Sequence, residues 1–135
     1  MISTPDRYIH YVSEGYIGKA HDFSILKAEF EPYQGWFKEH EIELDLGYIG
    51  FDKNYECKQL SIPHKKKKNK ELTDLQKQEN KAISSTRIRV EHSIGGMKKF
   101  YILKHKLRLR DFAFYDDIVG SCAGLWNFTQ TYTTD

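Results

Sequence analysis

Cysteine and proline are scarce in this chain, two and three among 135 residues, and the missing patterns narrow the field before any motif is read. Cys57 and Cys122 are far apart and make no Cys-x-x-Cys or Cys/His ligand spacing. Neither a disulfide framework nor a zinc site is expected, and both thiols should be reduced, half-buried and inert. No apolar run approaches the roughly 18 residues of a membrane span, and the opening MISTPDRY lacks a signal peptide's cationic and apolar regions. The expected location is therefore the cytoplasm (nucleoid) of a prokaryote or the nucleus of a eukaryote, with no membrane partner. No phosphate loop, dinucleotide fingerprint or serine nucleophile elbow is present, which removes the common nucleotide-binding and hydrolase classes. The histidines are scattered, and His10, His40, His64 and His105 read as surface or structural residues.

What is present is a globular composition, 39% hydrophobic, 30% charged and 14% aromatic, in a length that suits one domain. The net charge of +2 hides a segregation. Residues 1 to 64 hold six Lys/Arg against eleven Asp/Glu, net −5; residues 65 to 110 hold fifteen against four, net +11; the tail is net −4. A block this basic inside a balanced chain is an electrostatic footprint for a polyanion, although Lys65, Lys66, Lys67 and Lys68 alone would also suit a solvated charge run or a nuclear-import signal.

Along the chain, RYIHYVS (residues 7 to 13) alternates like a strand, and His21-Asp22 can cap a helix FSILKAEFEP that Pro32 stops. In EHEIELDLGYIGF, Ile42 and Leu44 point one way while Glu43 and Asp45 point the other, so an acid stands at a strand end before a glycine turn. A short strand over residues 59 to 62 leads through Pro63 to the lysine run, a surface loop. Thr73 is a plausible N-cap for the next helix, which runs into NKAISSTRIRVEHSIGGMKKFY. There Ile83, Val90, Ile94, Met97 and Tyr101 form one apolar stripe, and Ser84, Arg87, Glu91 and Lys98 share the adjoining face. A surface helix with an Arg–Glu pair four apart explains that face without any chemistry. Gly95-Gly96 either ends a segment or allows close approach to another backbone, and a kink or a break is expected there. The segment YILKHKLRLR extends the basic face, and DDIVGSCAGLWNFTQ predicts a closing helix that packs on the sheet with Trp126 in the core.

These segments together resemble the DDE-type transposases of the insertion-sequence and Harbinger-like group, whose catalytic domain is ribonuclease-H-like. The matching stretches are EGYIGKAHDFSIL, DLGYIG, the proline-lysine run leading to LTDLQKQENKAISSTRIRVEHSIGGMKKFYIL, then KLRLRD and AGLWN, from about residue 8 to 128. The most specific element is Arg87, Glu91 and Lys98, which matches the family's Arg/Glu/Lys signature. Ser84 stands where the family prefers tyrosine.

The resemblance implies an α/β fold, a truncated ribonuclease-H-like domain over residues 1–135 with a mixed sheet flanked by helices. It implies Asp45 and Glu91 as catalytic and metal-binding carboxylates for Mg²⁺ (Mn²⁺ possible), with Arg87, Lys98 and Lys65 to Lys68 on the phosphates of double-stranded DNA. Two ions would activate the attacking hydroxyl and stabilise the leaving oxygen. Asp22 falls at the family's His-Asp, near the site but not a ligand. The family's first aspartate, in an Asp-Gly-Thr-like strand, has no counterpart here, nor do its N-terminal DNA-binding helices. The expectation is a truncated chain with weak or absent metal binding, inactive unless a complementing N-terminal transposase fragment joins it. The alternatives are a non-catalytic nucleic-acid-binding protein or regulator derived from a transposase, and a plain interaction domain with solubilising charges.

Overall fold

A computed structural model describes residues 1–16, 18–68, 70–104 and 111–132. In chain order the elements are β1 (Ile2–Ser3), β2 (Ile9–Tyr11), α1 (Asp22–Glu29), β3 (Glu41–Glu43), β4 (Gln59–Ser61), α2 (Asp74–Met97) and α3 (Phe112–Tyr132), with short 3-10 turns at Leu46–Tyr48, Phe51–Lys53 and Tyr101–Leu103. The fold is mixed α/β. Its described strands make two small sheets, β1 with β2 antiparallel and β3 with β4 parallel, in place of the one mixed sheet expected. Contacts divide the chain into two compact units, Met1–Gly15 with Thr86–Asp135, and Tyr16–Ser85, and the division falls inside α2.

The first unit is built on a short hairpin. Its second strand is shorter than RYIHYVS suggests, and at its N-terminal end Arg7, at φ +72, still belongs to the turn, with its N–H on the Thr4 carbonyl at 2.9 Å. The Arg7 carbonyl accepts from the Trp126 indole N–H at 2.9 Å and from the Ser93 hydroxyl at 3.1 Å. Asn127 then clasps Ile9, its side-chain oxygen accepting the N–H at 2.8 Å and its NH₂ donating to the C=O at 2.7 Å. Ile9, Met97, Cys122, Ala123 and Trp126 form the core, flanked by Val12, Phe100, Leu103, Ile118 and Val119. The closing helix packs on β2 with Trp126 7% exposed, as expected, but begins earlier, at Phe112, where the Asp111 side chain accepts the Ala113 N–H at 3.0 Å. Cys122 is buried and Cys57 half-buried, and burial pushes both thiols up, away from the reactive thiolate.

The apolar stripe of α2 is turned from its expected line. Met97 is buried and Ile83 and Val90 are half-buried, but Ile94 is 39% and Tyr101 72% exposed. Ser93, Gly96 and Met97 are the buried positions instead. A hydroxyl bonded to the Arg7 carbonyl and a glycine against an indole set this face, and neither is an apolar side chain. The kink or break expected at Gly95-Gly96 does not occur, and the helix runs unbroken through both. Gly96 serves a close approach, since a Cβ there would stand 2.1 Å from the Trp126 ring, whereas nothing lies within 4 Å at Gly95. Residues 105 to 110 of YILKHKLRLR lie outside the described residues.

In the second unit, Phe37, Phe51 and Tyr55 are buried, with Phe51 and Tyr55 stacked at 4.8 Å and the Tyr55 hydroxyl donating to the Phe30 carbonyl at 2.6 Å. Helix α1 starts at Asp22 itself, with His21 at the N-cap and no side-chain cap bond, so Asp22 is a first-turn residue and not the cap. Its charge there favours the helix dipole. The helix stops at Glu29, ahead of Pro32. Thr73 does cap α2 reciprocally: Gln76 N–H donates to the Thr73 hydroxyl at 3.3 Å and Thr73 N–H to the Gln76 side chain at 3.1 Å.

The two adjacent glycines should respond oppositely. Gly96→Ala forces the Trp126 ring to move and should destabilise by about 1 to 3 kcal/mol, while Gly95→Ala should stabilise by roughly 0.5 to 1 kcal/mol through helix propensity. Urea denaturation of the two variants measures both.

Candidate functional site

Within the Tyr16–Ser85 unit, Asp45 sits just beyond β3 as the N-cap of the turn Leu46–Tyr48, its Oδ1 accepting the Gly47 N–H at 2.7 Å. A side chain at Gly47 would bring its Cβ within 2.9 Å of that oxygen, so the glycine is what lets the turn close on the acid. The alternation of EIELD thus ends in a half-buried carboxylate held in one orientation by its own backbone. Helix α1 lies against this turn, with Phe23 meeting the Tyr48 ring edge-on at 6.0 Å. Burial first, then the Asp22 and Asp45 charges, push the Tyr48 phenol above its ordinary value. Asp22 and Asp45 therefore both act on Tyr48. Spacing alone does not reveal Tyr48; its only signal is its place three residues after Asp45. Glu43 is a separate matter: burial raises its carboxyl as well.

The lysine run belongs to the same unit, and Lys65, Lys66, Lys67 and Lys68 are all exposed. Lys66 Nζ meets Glu71 at 2.9 Å, and Lys67 bridges to Lys70. Ser84 is exposed on α2.

Arg87, Glu91 and Lys98 belong to the other unit, at the C-terminal half of α2 and just past it. Arg87 Nε stands 3.8 Å from Glu91 Oε1, with both side chains more than half exposed. A pair so long and so wet contributes a few tenths of a kcal/mol at most. Lys98 is exposed where its N–H still bonds the Ile94 carbonyl at 3.1 Å. The structure thus groups Asp22 with Asp45, and Arg87 with Glu91.

Carboxylate oxygens are the right donors for a hard divalent cation. Their number is short, however, since among the described residues no group of three or more His, Cys, Asp or Glu could hold a metal ion. No helix among the described residues is long and apolar enough to cross a membrane.

Comparison with known proteins identifies the family of this chain. The family described as DDE superfamily endonuclease matches residues 1–127, and the chain belongs to that family. A curated relative, the probable transposase for insertion sequence element IS702 of Microchaete diplosiphon, is 31% identical over 113 residues, which is 82% of this chain and 38% of that protein. The chain spans less than half the length of that relative. No solved structure matches it.

If Asp45 charges the surroundings of Tyr48, Asp45→Asn should lower the Tyr48 pKa towards an ordinary tyrosine without reaching it, because burial remains the larger cause. Asp22→Asn should act in the same direction. A raised tyrosine pKa stabilises the fold below the unfolded-state value and loses that contribution as pH rises through the folded one. Titration of ring-labelled tyrosine by NMR reads the shift, and an unchanged Tyr48 in both variants would separate the acids from the ring.

Proposed function

We propose that this chain is part of the catalytic domain of a DNA transposase of ribonuclease-H-like fold, in which Asp45 and Glu91 converge as two carboxylates of a divalent-metal site. The observation that carries this reading is the Arg87–Glu91 pair on α2 with Lys98 just past its end, inside a chain that the endonuclease family matches from residue 1 to 127. Divalent cations, when bound, would supply activation of the attacking hydroxyl and stabilisation of the leaving oxygen in phosphodiester cleavage. The chain's own residues do the rest. Asp45, oriented by the Gly47 N–H, and Glu91, tethered loosely to Arg87, hold negative charge at the site. Arg87 and Lys98 bind phosphates on either side of Glu91, orienting the DNA strand. Lys65 to Lys68 hold flanking duplex through charge alone.

Among the described residues no group of three or more His, Cys, Asp or Glu could hold a metal ion, so this reading gives the chain two of the site's carboxylates and not a complete ligand set. The 135-residue chain should then bind DNA and show no Mg²⁺-dependent nicking of its own. Nicking by the purified chain that disappears in Glu91→Gln would overturn that part. The same observation favours a second reading, a nucleic-acid-binding regulator of transposase ancestry. Convergence of the two acids separates the readings. Millimolar Mn²⁺ should broaden NMR signals around both Asp45 and Glu91, and Asp45→Asn or Glu91→Gln should each abolish the effect at both places. Broadening at one acid alone sinks the shared site.

DNA binding should weaken by about 0.9 log unit per phosphate contact for each log unit of salt, and Lys98→Ala should lower that slope by about one contact's worth. Fluorescence anisotropy with a short duplex measures it, and a flat salt response would leave only a domain whose charges are solubilising.

A further inference from the structure

The backbone that leads into the lysine run is held by a side chain. Asn80, on α2, accepts the His64 N–H on its side-chain oxygen at 2.7 Å and donates its NH₂ to the His64 C=O at 3.1 Å. Beside it, the Glu79 carboxylate meets His64 Nε2 at 2.6 Å. Within the run, Lys66 is drawn to Glu71 at 2.9 Å and the Lys67 C=O accepts the Lys70 N–H at 3.2 Å. The Thr73–Gln76 capping box then fixes the start of the helix. The run is therefore held to the first half of α2 at its upstream end, through His64, and is folded back on residues 70 and 71, just ahead of that helix. That arrangement needs a reason. Consecutive lysines repel each other and, in a free loop, would spread through many conformations.

We propose that Asn80, assisted by Glu79, is a positioning residue that presets the Lys65–Lys68 run for the phosphates of a nucleic-acid backbone. The inference rests on the run being a DNA contact, as put forward above. Asn80 touches no phosphate in this scheme: its oxygen and its NH₂ are both engaged by His64, and Glu79 would repel an anion. Its effect passes through the run. Ordering done in the folded protein does not have to be done at binding, so preorganisation raises affinity without adding a contact. The first two turns of α2 thus act as a scaffold for the charged loop, and the choice of Asn at position 80 follows from the need to bond a peptide N–H and C=O at once.

Charge and position are separable by salt. A lysine that neutralises a phosphate releases counterions and steepens the salt dependence, whereas an uncharged asparagine contributes nothing to the slope. With the 135-residue chain and a short fluorescent duplex, Asn80→Ala should bind on the order of fivefold more weakly at every salt concentration, on a line parallel to the wild type. The combined K65Q, K66Q, K67Q and K68Q variant should bind on a shallower line. If the lysine variant keeps the wild-type slope, the run is not a DNA contact and both readings of it fall. If the lysine variant is shallower but Asn80→Ala matches the wild type in affinity, the run binds DNA without help from Asn80 and this inference alone falls. Amide exchange on the wild-type chain adds a test that needs no variant. The His64 N–H should be protected, and exchange at the rate of an unstructured peptide would overturn the proposal.

Discussion

One carbonyl oxygen, that of Arg7, organises the unit that contains the N-terminal hairpin and the C-terminal helix. It accepts from Trp126 on α3 and from Ser93 on α2, so three segments distant in sequence meet at one acceptor. A residue other than glycine at φ +72 costs on the order of 1 kcal/mol, and the two bonds from buried donors offset it. Trp126 can reach that oxygen only because α2 presents Gly96 to its ring. The rotation of α2 about its own axis follows from the same contact. With Ser93 and Gly96 turned inward, Ile94 is left outside and the neighbouring face, with Glu91 and Lys98, is open to solvent.

That dependence explains which parts of the molecule could be read from the residues. Long elements were readable: α2 and α3, the capping by Thr73, the burial of Trp126 and the strand ahead of Asp45 all have local signals. The exact face of α2 was not, because apolar periodicity ranks Ile94 and Tyr101 as core and has no term for a serine bonded to a distant carbonyl. Asp22 looked like a cap because it precedes a helix, but the helix takes it into its own first turn. The single mixed sheet was overestimated for a similar reason. Alternation in RYIHYVS starts at Arg7, which the structure keeps in the turn ahead of the strand, and the run of seven yields a strand of three.

The candidate site divides along the same line. Asp45 and Glu91 stand out because each is an acid in a setting that periodicity describes, one closing a strand and one flanked by cations. Tyr48 does not stand out, since aromatic residues are common in this chain and only folding places it beside Asp22 and Asp45. Electrostatics orders the two groups differently. Around Tyr48 the acids act on a partly buried ring, where charge is poorly screened; around Glu91 they face water, where Arg87 at 3.8 Å has little hold. A glutamate so weakly held keeps its carboxylate available to a stronger partner.

Asparagine does in this chain what longer strands do elsewhere. The described strands are two or three residues long, and such short ladders leave peptide groups that must be satisfied some other way. A carboxamide carries a carbonyl acceptor and an N–H donor in the same geometry as a peptide unit, so one side chain can replace one rung. Asn127 does so at Ile9 and Asn80 at His64, each through two bonds. In both places a helix side chain bonds a peptide group of another segment, a short strand at Ile9 and a loop at His64. Because asparagine is ordinarily a surface or turn residue, nothing in its spacing announces this use. The peptide it serves becomes visible only once the chain has folded.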